Sequence, residues 1–105
     1  MKIVKRSQFM RLPNGTLFTE FSPSIFGELR IKGSSFGQDD FTYLPLVAIE
    51  DLDRFHDNYL NEEFPVSLDE WTRDGKFDES QLYAVWDKRD LNNLIVVLQE
   101  CEKIL

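Results

Sequence analysis

Phe26-Gly27-Glu28-Leu29-Arg30-Ile31-Lys32-Gly33 is the stretch on which the fold turns. Its residues alternate, with Leu29 and Ile31 on one face and Glu28, Arg30 and Lys32 on the other. A period of two marks a half-buried strand, and the alternation predicts an apolar face turned inward and a charged face turned to water. Just upstream, Thr16 to Ser22 is rich in β-branched and aromatic residues and reads as another strand. Pro23-Ser24 makes the turn between them. These two segments form the best antiparallel pair in the chain.

Outward from that pair, Lys2 to Lys5 reads as a short opening strand. Ser7 is placed to cap one helical turn over Gln8 to Leu12, which Pro13 ends. Asn14-Gly15 is a turn pair that launches the next strand, because both residues tolerate positive φ. Gly33 to Asp40, with two glycines and two serines around Phe36, reads as a loop. Phe41 to Ile49 resumes strand character, and Pro45 within it predicts an edge strand or a bulge. From Asp51 the spacing changes: Leu52, Phe55, Tyr59 and Leu60 fit an acidic amphipathic helix over Asp51 to Leu60. Glu62 to Glu70 reads as irregular.

Asp74-Gly75 is the second strong turn. Leu82 to Trp86 carries no charge and is expected to be a central strand. Asp87 caps a final helix with Asp90 at its third position, and both acids favour the positive end of the helix. Leu91, Leu94, Ile95, Leu98, Cys101 and Leu105 lie on one stripe of that helix, widened by Val97 and Ile104, and the stripe predicts packing on the sheet. The fold class that follows is α+β: a small curved antiparallel sheet or partial barrel packed by a C-terminal helix. Residues 1–105 make a single domain with an acidic excursion at about 50–70, since this length leaves no room for a second core.

The net charge of −7 hides an uneven distribution. Residues 1–36 carry six basic groups (Lys2, Lys5, Arg6, Arg11, Arg30, Lys32) against Glu20 and Glu28, a balance of +4. Residues 50–79 carry eleven acids against Arg54, Arg73 and Lys76, a balance of −8. Two electrostatically different faces are expected. Cys101 is the only cysteine, which excludes an intramolecular disulfide and a multi-cysteine zinc site; its place on the apolar stripe predicts a buried structural thiol. The basic start is followed by Ser7-Gln8 rather than an apolar run, and the longest apolar block, Leu94 to Leu98, is too short for a membrane span. A cytoplasmic protein is the expectation, with no membrane partner.

Catalytic patterns are sparse. His56 is the only histidine; Asp53 and Asp57 flank it, but a solvated helix face is the expected reading over a metal site. Ser34 and Ser35 have no nucleophile elbow around them, and Gly33-Ser34-Ser35-Phe36-Gly37 lacks the closing Gly-Lys-Ser/Thr of a phosphate-binding loop. The expectation is a protein that binds and does not catalyse, with no cofactor and no metal. One candidate surface is acidic and aromatic: Asp53, Phe55, Asp57, Tyr59, Glu62, Glu63 and Trp71, suited to a protein partner whose own surface handles nucleic acid. The other is a basic, aromatic ligand pocket built from Phe26, Arg30, Lys32, Phe36 and Arg73, suited to a nucleotide and conceivable across a homo-oligomer interface. Double-stranded nucleic acid is disfavoured, because the net charge repels its backbone.

Three segments carry a resemblance: Phe9 to Phe18, Phe26 to Gly33, and Arg73 to Leu82. They resemble a group of small proteins encoded by tailed phages and prophages. The likeness covers both ends of the chain and leaves out residues 45–70. It implies no functional residue, only a context: small accessory phage proteins often block a host protein or defence system by binding it. Inhibition of a host factor through the acidic surface is therefore the leading expectation, and sequestration of a nucleotide signal is the alternative.

Overall fold

The computed structural model describes residues 1–37, 39–46, 48–49, 60–63 and 65–105, excepting the side chains of residues 25, 26, 36, 48 and 49. Along the chain run β1 (Lys2–Lys5), α1 (Arg6–Phe9), β2 (Leu17–Ser22), β3 (Ile25–Phe36), β4 (Asp40–Pro45), β5 (Ala48–Ile49), β6 (Val66–Ser67), β7 (Thr72–Arg73), β8 (Leu82–Val85) and α2 (Lys88–Ile104). Six strands form one open sheet in the order β1-β8-β2-β3-β4-β7, and β5 pairs with β6 separately. Every pairing is antiparallel. The α+β class is as expected; the sheet stays open and does not close into a barrel. Uncharged β8 lies between β1 and β2, as its composition predicts.

The core is a set of aromatic rings gathered under α1. Val4, Phe9, Phe18, Phe41 and Tyr83 are buried together. Phe9 stacks on Tyr83 with ring centres 4.0 Å apart and meets Phe18 and Phe41 edge-on at 4.6 and 5.1 Å. These geometries suit the ring quadrupoles, so each pair adds to the burial itself. The helical turn that delivers Phe9 begins at Arg6, one residue before Ser7, with Lys5 at the cap and no side-chain cap bond. Position here is set by the side chains of Arg6 and Phe9, both buried, and not by a capping hydroxyl.

The strand that decides the fold runs longer than the alternation suggests, and its faces are exchanged. Gly33 to Phe36 continue β3, with a shift of register between Lys32 and Ser35, so the expected loop shrinks to the few residues before β4. Phe18 lies opposite Arg30 and Lys32 opposite Tyr43, which puts Arg30 and Lys32 on the aromatic core face. Lys32 is 1% exposed, while Leu29 and Ile31 are only half-buried. The cause is α1, which covers that face. The Lys32 ammonium lies 5.9 Å from the Phe9 ring centre, and the Arg30 guanidinium lies 4.1 Å over Tyr43. Long basic side chains can lay their stems and π-facing heads on aromatic rings, so alternation separates two faces without saying which is inside.

Pro45 ends β4 opposite Arg30, beyond the two residues, Thr42 and Tyr43, that β7 covers; its missing N–H costs no ladder bond there. The stretch expected to be irregular contains the two-residue strand β6. The predicted helix over Asp51 to Leu60 lies outside the described residues except for Leu60, which is in a turn.

The cap of α2 forms as read: the Asp87 side chain accepts from the Asp90 N–H at 2.8 Å, and the Asp90 side chain accepts from the Asp87 N–H at 3.0 Å. The helix meets the rest of the protein at its foot, where Asp90 bridges the Met1 amino group at 2.8 Å and Leu94 is half-buried. No residue of α2 is fully buried. Cys101 is exposed, against the expectation of a buried thiol, because the upper part of the stripe extends past the sheet. Truncating Phe9 to Ala should cost about 3–5 kcal/mol, the usual range for a buried phenyl group. Urea denaturation should show this as a large fall in midpoint with little change in slope.

Candidate functional site

Trp71 stands 53% exposed beside β3 and β4. Gly33 of β3 and Thr42 of β4 leave a flat floor beside it: a Cβ placed on Gly33 would come within 2.7 Å of the Trp71 ring. Glycine is therefore required for the indole to lie against the strand. The Asn14-Gly15 turn closes the near side, since the Gly15 N–H donates to the Lys32 carbonyl at 2.7 Å and Gly15 takes a φ of +94°. Asn14, Gly15, Ile31, Lys32, Gly33, Ser34, Thr42 and Trp71 together bound a hollow of about 640 Å³. That volume lies within the range of small-molecule sites, roughly 300–1,000 Å³. Thr42 donates to the Ser34 carbonyl at 3.2 Å, and Asn14 donates to the Ser34 hydroxyl at 3.4 Å, so the rim is polar and the floor apolar.

Lys32 borders the hollow, but its ammonium lies on the core face toward Phe9, away from Thr42 and Trp71. Its ammonium makes one long bond, 3.5 Å, to the Gly33 carbonyl, and no carboxylate partners it among the described residues. Burial holds its pKa below the ordinary lysine value.

In the sequence leading to Trp71, several described residues carry apolar side chains in water. Leu60, Val66, Leu68 and Trp71 are 76%, 64%, 61% and 53% exposed. Glu62, Glu63, Asp69 and Glu70 are exposed among them. The Ser67 hydroxyl donates to Asp69 at 2.7 Å and the Trp71 N–H donates to the Asp69 carbonyl at 3.1 Å, which fixes the bend leading into β7.

Of the acidic, aromatic surface read from the sequence, Glu62, Glu63 and Trp71 are on this exposed stretch, while Asp53, Phe55, Asp57 and Tyr59 lie outside the described residues, as does His56. Leu60, Val66 and Leu68 are contributors that sequence reasoning passed over. Val66 and Leu68 belong to a stretch read as irregular, and no periodicity flagged them.

The residues read as a basic ligand pocket are not gathered into one. Arg30 and Lys32 share a face, but Arg30 is held by Glu20 at 3.0 Å and Glu28 at 2.9 Å. Arg73 is paired in register with Thr42, hence on the opposite face from Lys32 and Tyr43, and its Nε donates to Asp40. Phe26 and Phe36 stand near the two ends of β3, ten residues apart. Among the described residues, no group of three or more His, Cys, Asp or Glu side chains is placed to hold a metal ion. No described helix is long and apolar enough to cross a membrane.

A second polar constellation lies below the surface and joins distant parts of the chain. The Arg6 guanidinium donates to the Tyr83 hydroxyl at 2.7 Å, to Asp74 at 3.3 Å and to the Asp39 carbonyl at 2.6 Å. Asp40 accepts from the N–H groups of Phe41 and Gly75, both at 2.9 Å, and from Arg73. Burial alone would raise the Asp40 pKa, but Arg73 and the two N–H groups hold it below the usual carboxylate value. Burial pushes the Tyr83 phenol up to about 12 against the lowering pull of Arg6. In the unfolded chain Tyr83 ionises near its ordinary 10.0, so between these values the unfolded state binds fewer protons. Stability from this group is whole below pH 10 and is lost as pH rises toward 12. Phenolate absorbance should therefore show one late-titrating tyrosine, which Tyr83→Phe removes. Arg6→Met should destabilise by about 3 kcal/mol, since it leaves Asp74 buried and uncompensated; thermal and urea unfolding would measure it. No family model, no curated protein and no solved structure matches the chain, so its own geometry carries the functional reading.

Proposed function

We propose that this is a non-enzymatic accessory protein that inhibits a host factor by binding it, and that residues 60–71 form the core of the contact surface. The observation that carries the reading is the exposure of Leu60, Val66, Leu68 and Trp71 among Glu62, Glu63, Asp69 and Glu70. Apolar groups of this size in water favour association, and an aromatic anchor ringed by charge is the usual composition of a binding hot spot with a selective rim. The acids suit a partner with a basic surface, such as one that handles nucleic acid. Their fields would steer encounter and impose salt dependence. Asp53, Phe55, Asp57 and Tyr59 extend the same acidic, aromatic character in sequence.

A second reading has its own observation, the hollow beside Trp71, whose volume suits a small molecule. The indole face suits a planar ring. A nucleotide-like ligand fits that chemistry.

The two readings separate experimentally. Immobilised protein should capture one host protein from a nuclease-treated lysate, less at high salt. Reversal of Glu62, Glu63, Asp69 and Glu70 to Lys should abolish capture; undiminished capture by that variant would sink the first reading. For the second, thermal shift against a nucleotide panel should show a stabilising ligand whose effect Trp71→Ala removes. Lys32→Met, free of its buried charge, should unfold at a higher urea concentration than the parent. A flat response across the panel would count against the ligand.

A further inference from the structure

Helix α2 has a sequence that does not favour standing alone. Asn92-Asn93-Leu94-Ile95-Val96-Val97 combines asparagines, which compete for backbone bonds, with β-branched residues, which lose side-chain freedom in a helix. Isolated helices of about this length are marginal in water even with better residues. Yet Leu91, Ile95, Val97, Leu98 and Ile104 are between 40% and 86% exposed. The cap at Asp87 starts the helix, but among the described residues nothing covers its upper apolar stripe.

The order of that stripe specifies what fits it. Leu91, Leu94, Leu98, Cys101 and Leu105 recur at alternating spacings of three and four, the seam of a two-stranded coiled coil. Lys88, Ile95 and Glu102 flank the seam on one side, and Asp90, Val97 and Ile104 flank it on the other. Place a second copy antiparallel, with the two-fold axis between Ile95 and Val97. Leu94 then packs on the partner's Leu98, and Leu91 on the partner's Cys101. Ile95 meets the partner's Ile95, and Val97 meets the partner's Val97. Lys88 faces the partner's Glu102, and symmetry repeats the pair at the other end. The partner's Ile104 reaches the foot of the helix near Asp90. There an apolar hollow of about 300 Å³, lined by Met1, Trp86, Leu94 and Val97 among others, is open to receive it.

A parallel pairing is worse on every count. Glu102 would lie against the partner's Val97 and Asp90 against the partner's Ile95, no opposite charges would meet, and the helix dipoles would align. We infer that the protein is a homodimer joined by antiparallel α2 helices, an isologous interface centred beside Val96.

Sedimentation velocity over a concentration series tests this, with circular dichroism as the control for folding. A dimer is expected. Leu98→Glu, at a position exposed in the single chain, should weaken association by about 100-fold or more while leaving the sheet intact. Lys88→Glu alone should weaken the dimer, and Lys88→Glu combined with Glu102→Lys should restore it. A monomer at all concentrations up to millimolar, or a dimer indifferent to Leu98→Glu, would overturn the proposal. So would ready oxidation to a Cys101–Cys101 cross-linked dimer. In the antiparallel register those thiols stand about 15 Å apart along the axis, beyond disulfide reach.

Discussion

A single guanidinium holds the architecture in register. Arg6 sits where β1 passes into α1, and its donors reach Asp74, Tyr83 and the carbonyl of Asp39, contributed by three segments far away in sequence. The side chains of Asp74 and Tyr83 are closed off from water, so the cation cannot shift without leaving a buried polar group unsatisfied. Its fixed position sets the helical turn that drops Phe9 onto the sheet. It also holds Asp74 and Gly75 beside β4, where Asp40 completes the clamp through the Gly75 N–H. One oxygen of Asp74, Oδ1, has no partner, which makes this carboxylate the most dependent member of the set on its cation.

The consequence for the sheet is an inversion of ordinary polarity. The face carrying Arg30 and Lys32 is roofed by α1 and the aromatic cluster, while the face carrying Leu29 and Ile31 is only partly covered. Arg30 is accommodated by two carboxylates and a tyrosine ring. Lys32 has only a carbonyl and the Phe9 ring.

The sequence displayed what is local. The Asn14-Gly15 turn, the capping aspartates, the uncharged central strand and the alternation of β3 are all short-range signals, and the structure has each of them; Asp74-Gly75, read as a turn, is not one, although Gly75 takes a φ of +65°. It concealed what depends on distant partners. Ser7 offers a better cap than Lys5, yet α1 starts at Arg6 because that side chain is claimed by residues 33, 68 and 77 positions away. Gly33-Ser34-Ser35 looks like a loop, and becomes strand because β4 pairs beyond it and Trp71 needs the missing Cβ. The helix stripe predicted packing on the sheet, but only its foot meets the rest of the protein and most of the stripe is exposed, because an apolar period does not say what will cover it. The candidate surface was legible by its charge at Glu62 and Glu63 and illegible in its apolar part, where Val66 and Leu68 follow no period.

The strand order has a bearing on how the chain acquires its shape. β1 pairs only with β8, so Lys2 waits for Val85 as its partner. The hairpins β2–β3 and β3–β4 close over short distances and can form while the remainder is still being synthesised. Strand β1, with Arg6 and Phe9 behind it, must hold off until β8 has emerged. Loop closure over such a span comes late and slowly. Lysines at both ends of β1 make this unpaired interval safer, since charge on a waiting strand deters wrong pairing with another chain. β1 and Phe9 are thus among the last parts to settle, and the aromatic core is completed only once β8 is in place.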